Sequence, residues 1–380
     1  MSQVSTVRGP VEAADLGPTY LHEHIFVLTA DVQQNYPGER GSEDERIADA
    51  VTKLGALAAQ GVRTIVDPTV VGLGRNLPRI QRVAEQVPEL NIIVATGLYT
   101  YDSVPFFFYH RGPALNEALG TEVPDPMVDM FVGDITEGIT GTGVRAGMLK
   151  CAIDEHGMTP GVERVMRAVA AAHHQTGVPI TVHTHPGSRS GLEVKRVLCD
   201  SAGVDPGRVI LGHSGDTADC DHLADLADAG FMLGMDRFGI NLAITFEARA
   251  DTLVEMCRRG YAERMVLSPG PRVHTAWMPR SCSSRRLLKK GRACRVGPGA
   301  AAGCPGLGGG VFARRRVWQV PGCRVAAPAS AGGARAGVYP VAQAAVQVPP
   351  ARVRSWRSRV ARLTAAVRVL SQALFLAVPR

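Results

Sequence analysis

The chain has 380 residues and a formal charge of +7, enough for one large domain or two ordinary ones. The mean charge hides a division: residues 1–263 hold all 35 acidic residues and 21 of the 42 Lys and Arg, a net −14, while residues 264–380 hold the other 21 basic residues and no acid, a net +21. No Cys-x-x-Cys occurs among the eight cysteines, which excludes a zinc ribbon or dithiol redox motif, and no run approaches the ~20 apolar residues of a membrane span. The N-terminus lacks a basic region followed by an apolar one, so a reduced, cytoplasmic protein is expected.

Between residues 19 and 268, short apolar β-branched runs alternate with amphipathic segments. The first run, Thr19–His22, leads into His22-Glu23-His24. On extended chain, residues i and i+2 face the same side, so two imidazoles project together toward a shared ion at ~2.0–2.1 Å. Ser42-Glu43-Asp44-Glu45 then reads as a capping box opening a helix that stops at Gly61. Apolar runs follow at Thr64–Asp67, Ile92–Thr96 and Ala146–Lys150. Thr159-Pro160 opens a further helix, closed by Gly177. Ile180–His183, Val209–His213, Phe231–Met235 and Met265–Ser268 complete eight runs, with helices predicted over Asp219–Gly230 and Phe246–Gly260, each ending in Gly.

Eight strands alternating with helices predict a parallel sheet closed into a (β/α)8 TIM barrel of ~250 residues. Catalytic groups in such a barrel sit at the C-terminal strand ends. There the candidates fall in series: His22 and His24 after run one, Lys150 after run four, His183 after five, His213 after six, and Asp236-Arg237 after seven. Four imidazoles exceed what one open catalytic zinc site needs and suit two ions with two histidines each. Such a pair needs a bridging anion. A buried Lys150, deprotonated, can take up carbon dioxide as a carbamate. Tyr99 can present a hydroxyl to the site, and Asp216, three residues past His213, can accept a proton. His173-His174 read as helix residues, and His110, His156 and His222 as loop or helix-start residues, with His185 an outside candidate. Gly72-Leu73-Gly74 lacks the context of a dinucleotide-binding turn.

Gly17-Pro18-Thr19-Tyr20-Leu21-His22-Glu23-His24 resembles the first signature of the phosphotriesterase family of amidohydrolases. Ile65-Val66-Asp67-Pro68-Thr69, Ala95-Thr96-Gly97-Leu98-Tyr99, Gly147-Met148-Leu149-Lys150, His183-Thr184-His185, Gly212-His213-Ser214-Gly215-Asp216 and Gly234-Met235-Asp236-Arg237 resemble later ones. The resemblance covers residues ~8–268. It implies two divalent metal ions, usually Zn2+, with His22 and His24 on one, His183 and His213 on the other, and carbamylated Lys150 bridging them. Tyr99 with Asp236-Arg237-Phe238-Gly239 looks like the lactonase branch. The implied reaction is opening of lactones, acyl-homoserine lactones among them, with slower hydrolysis of phosphotriesters by a hydroxide shared between the metals. Asp216 is then a proton acceptor, Tyr99 and Arg237 substrate-positioning groups, and a homodimer the usual assembly.

The resemblance breaks after the eighth run, where the family has Ser-His-Asp and this chain reads Ser268-Pro269-Gly270. Gly270 stands where an aspartate completes the first metal site, so weakened metal affinity and activity are expected. Residues 1–268 form the expected hydrolase barrel, its eighth unit incomplete. Residues 269–380, rich in Arg, Ala, Gly and Pro, form an expected largely disordered basic tail, read as a shifted reading frame in a GC-rich gene. The rival reading is a non-catalytic barrel remnant whose basic arm binds nucleic acid.

Overall fold

The computed structural model describes residues 3–37, 41–238, 240–241 and 243–268, together with the strand His274–Thr275. The expectations for Gly239, Gly270 and the rest of the 269–380 tail lie outside the described residues. Eight parallel strands pair in the order of the sequence: β1 (Thr19–Tyr20), β2 (Thr64–Asp67), β3 (Asn91–Gly97), β4 (Met148–Ala152), β5 (Ile180–His183), β6 (Val209–Gly212), β7 (Met232–Met235) and β8 (Met265–Leu267). This is the expected barrel sheet. Helices lie between successive strands: α1 (Glu43–Ala58), α2 (Leu77–Gln86), α3 (Pro126–Thr136), α4 (Pro160–Thr176), α5 (Ser190–Val194, continuing as a π turn), α6 (Cys220–Asp228) and α7 (Phe246–Arg258). Among the described residues no helix follows β8.

The local signals act where they were read. Ser42 and Glu45 form a reciprocal capping box at the start of α1. Thr159 caps α4 through Val162 N with Pro160 at the first position, and Gly177 takes the left-handed conformation (φ 69°) that ends the helix. Two boundaries differ from the sequence reading. His22 and His24 lie past the end of a two-residue β1, and Lys150 sits in the middle of β4, which runs on through Cys151 and Ala152. Both of those residues are apolar and fully packed, so nothing in the side chains ends the strand at the lysine.

The interior of the barrel is an apolar cluster drawn from six of its strands together with Leu21, which follows β1: Val66, Ile93, Met148, Ile210, Met232 and Val266 interdigitate with it. The N-terminal strands Gln3–Thr6 and Gly9–Glu12 form an antiparallel hairpin, and Val4 and Leu16 join the same cluster. Burying each of the larger side chains contributes about 1.5–3 kcal/mol. The layer between sheet and helices is separate and larger, built on residues such as Leu149, Val165, Val182, Leu211 and Leu226.

No backbone ladder joins β8 to β1 among the described residues. Ser268 spans that gap instead. Its backbone N–H donates to Met235 O at 3.3 Å, and its hydroxyl lies 3.0 Å from His22 O and 2.5 Å from Glu23 Oε1. The hydroxyl therefore ties the end of the last strand to the segment carrying the first two histidines. Ser268→Ala should cost about 1–3 kcal/mol by leaving buried acceptors unpaired, read as a lower urea midpoint with an unchanged slope.

Candidate metal centre

His22, His24, Lys150, His183 and His213 are all buried and meet at the C-terminal end of the barrel. Backbone geometry makes room for them. Gly97 pairs with Lys150 across β3 and β4, and a Cβ there would fall 1.9 Å from Lys150 O. His213 adopts φ 68°, a conformation unusual for a side chain with a Cβ, directly after β6. That turn delivers its ring against both neighbours, with centroids 4.7 Å from His22 and 4.4 Å from His183.

Each histidine has one ring nitrogen engaged by a carboxylate or by a group that leads to one. Asp236, on the residue after β7, lies between two of them: Oδ1 is 2.8 Å from His213 Nδ1, and Oδ2 is 3.0 Å from His22 Nδ1. The His213 contact is a full hydrogen bond, and the backbone N–H of His213 donates to the same carboxylate. The His22 contact is an ion-pair distance with geometry too bent for a hydrogen bond. His183 donates from Nε2 to Asp154 Oδ2 at 2.8 Å, which leaves its Nδ1 bare. His24 Nδ1 lies 2.8 Å from the Thr69 hydroxyl, itself 2.5 Å from Asp67 Oδ1.

The remaining nitrogens then point at each other. His22 Nε2 is 3.2 Å from His24 Nε2, and His213 Nε2 is 2.9 Å from His183 Nδ1. Burial lowers the pKa of all four rings, with the charge of Lys150 adding to it at His22 and the hydrogen bond to Asp154 opposing it at His183, which still falls to about 3. The rings are therefore neutral, and carboxylates hold the protons of His213 and His183 on the far side. Of these four facing nitrogens, His213 Nε2 and His183 Nδ1 point away from the ring nitrogens that meet carboxylates, and the Tyr99 hydroxyl also reaches His183 Nδ1. Lys150 Nζ, fully buried between strands, has no hydrogen-bond partner. Buried donors without partners are costly. A donor set of this kind fits cations between the paired nitrogens and a modified or neutral lysine beside them, so the residues present fit a metal pair.

Burial lowers the Lys150 amine to about 8. Between that value and 10.5 the unfolded chain holds a proton that the folded chain has released, so folding stability rises with pH across this window. At about 1.4 kcal/mol per unit the rise is on the order of 3 kcal/mol. Metal-free, carbon dioxide-free protein should gain this stability from pH 8 to 10.5 in chemical denaturation, and Lys150→Met should flatten the curve.

Other sequence candidates fall around this centre. The Tyr99 hydroxyl is 3.0 Å from His183 Nδ1 and 2.5 Å from Tyr101 OH. Arg237 reaches Asp216 Oδ2 at 2.6 Å, and the fully buried Arg249 reaches Asp216 Oδ1 at 2.5 Å. Both oxygens of Asp216 are thus held by guanidinium groups. His185 bonds Ser188 within its own loop, and His173 and His174 bond backbone carbonyls. The sequence reading did not single out Asp154, nor give Asp67 and Thr69 roles of their own. Asp154 carried a usable signal, a carboxylate two residues past a barrel strand.

Comparison with known proteins gives the chain a family. The sequence profile of the phosphotriesterase family matches residues 2–283. A "Phosphotriesterase homology protein" of Mycobacterium tuberculosis is 53% identical over 268 residues, covering 70% of this chain and 80% of that protein. An "Aryldialkylphosphatase" of Saccharolobus solfataricus is 38% identical over 258 residues, covering 68% and 78%. The solved phosphotriesterase structure from M. tuberculosis superposes with a TM-score of 0.69 at 51% identity, over 73% of this chain and 84% of that one. The chain belongs to the phosphotriesterase family of hydrolases.

Proposed function

We propose that this chain is a metal-dependent hydrolase that opens lactones and, more slowly, cleaves phosphotriesters. The observation carrying the proposal is the pair of facing imidazole contacts, together with the buried, unpartnered Lys150. The name of the S. solfataricus relative supports the phosphotriester side, and the segment Tyr99 with Asp236-Arg237-Phe238 supports the lactone side.

His22 and His24 would hold one divalent ion and His183 and His213 a second, zinc fitting neutral imidazoles well. Bound there, the ions supply Lewis acidity, acidifying water and polarising a carbonyl or phosphoryl oxygen. The protein's own residues do the rest. With its amine lowered to about 8, Lys150 is substantially neutral near that pH and can form an N–C bond to carbon dioxide, releasing one proton and gaining an anionic carboxylate. Asp236 and Asp154 keep protons on the outward nitrogens of His213 and His183. Tyr99 offers a hydroxyl beside His183, and burial keeps it protonated by raising its pKa well above the ordinary value.

Arg237 is the exposed member of its ion pair and brings positive charge to the mouth of the site. We read it as the group that meets negative charge developing on the substrate oxygen, with Asp216 as its anchor. The missing carboxylate at position 270 leaves the His22–His24 subsite the weaker of the two. The aromatic cluster Phe106, Phe107 and Tyr109, exposed at 82, 52 and 57%, fits a homodimer contact. No described helix is long and apolar enough to cross a membrane, and the four described cysteines are unpaired, in keeping with a cytoplasmic location.

Zinc- or cobalt-loaded protein should hydrolyse an N-acyl-homoserine lactone faster than an aryl phosphotriester, and a chelator should abolish both activities. Arg237→Met should lower kcat by about 10²–10³ with metal content unchanged, and Asp216→Asn should follow it in direction. Turnover indifferent to the chelator would contradict the proposal.

A further inference from the structure

His183 and His213 hydrogen-bond a carboxylate directly and His22 lies 3.0 Å from one, whereas His24 reaches one only through a hydroxyl. We propose that Thr69 and Asp67 form a two-step positioning relay that fixes the tautomer of His24 and so holds the weaker metal subsite together. The inference rests on the metal reading above for its consequence, but not for its geometry.

The direction of the relay follows from counting protons. Asp67 is buried and accepts from Thr69 N at 3.0 Å, from the Thr69 hydroxyl at 2.5 Å and from the backbone N–H of Ile25. A threonine hydroxyl has a single proton, and here it goes to the carboxylate. The contact of 2.8 Å between Thr69 Oγ1 and His24 Nδ1 must therefore use the oxygen's lone pair. The proton in that contact belongs to His24 Nδ1. A neutral ring carries one proton, so Nε2 is left bare, and it is Nε2 that faces His22 at 3.2 Å. The hydroxyl thus acts as a polarity converter: it passes the acceptor character of a carboxylate on to a ring lying 3.8 Å from the nearest Asp67 oxygen.

The chain's local structure builds the relay cheaply. Asp67 is the last residue of β2, and Pro68 turns the chain so that Thr69 folds back over the carboxylate of the residue two before it. Thr69 is itself buried, so water does not compete for the hydroxyl. Outer partners of metal-bound histidines typically change metal affinity about 10–100-fold when removed. The effect should be concentrated at the His22–His24 subsite, because the other three rings keep their own partners.

The test uses the full-length chain labelled with 15N-histidine and read by long-range proton–nitrogen correlation at pH 8, first without metal and then with zinc. His24 in the unaltered protein should carry its proton on Nδ1. Thr69→Val, which keeps the shape and deletes the hydroxyl, should shift His24 to mixed tautomers and weaken one of two zinc sites about 10–100-fold while sparing the other. Thr69→Ser should restore both. A proton on His24 Nε2 in the unaltered protein overturns the relay, as does a Thr69→Val protein with unchanged tautomer, or a Thr69→Ser protein that behaves like Thr69→Val. Should Thr69→Val not fold, the tautomer of the unaltered protein decides alone. Absence of any zinc binding would count against the hydrolase reading and leave the tautomer result standing separately.

Discussion

The structure depends on one uncomfortable contact made twice: a buried imidazole nitrogen facing another across about 3 Å. In water neither pair would persist, because each lone pair would find a proton donor. Here the rings are buried, Asp236 and Asp154 claim the protons of His213 and His183, and the Thr69 hydroxyl meets His24. Leaving buried lone pairs unmatched is costly, and under the proposed function a cation between the facing nitrogens would remove that cost. Lys150, buried without a hydrogen-bond partner, has the same logic with the sign reversed.

The barrel exists to impose that contact. His22 and His24 come from the segment after β1, His183 from the end of β5 and His213 from the strained residue after β6. No local segment could bring these together, and a parallel sheet wound in sequence order does so by curvature alone. Asp236 illustrates the coupling. A single side chain after β7 reaches rings from two different strands, so the two halves of the centre share one anchor. Ser268 works at the same seam, joining the last strand to the backbone of His22 itself. Stability of the fold and geometry of the site are not separable here.

Much of this was legible in the sequence. The histidines could be found because each follows an apolar run, and strand ends in a barrel all open on one face. Lys150 was found by type but misplaced along its strand, since Cys151 and Ala152 continue the apolar pattern without a visible boundary. Asp216 shows what linear reading does not see. Its nearness to His213 suggests a proton acceptor, yet Arg249, 33 residues away on α7, takes one of its oxygens, and no pattern in the sequence announces that contact. The Thr69 relay is hidden for a related reason, because which atom of a hydroxyl is used depends on what lies on both sides of it.

The central claim is that the facing nitrogens are metal ligands, and zinc-edge anomalous diffraction from crystals of the zinc-loaded chain addresses it most directly. The account predicts two anomalous peaks, one between His22 and His24 and a stronger one between His183 and His213, with the Lys150 side chain extended toward both. Crystals with no peak at either position, and ordinary waters or direct ring-to-ring hydrogen bonds in their place, would contradict it.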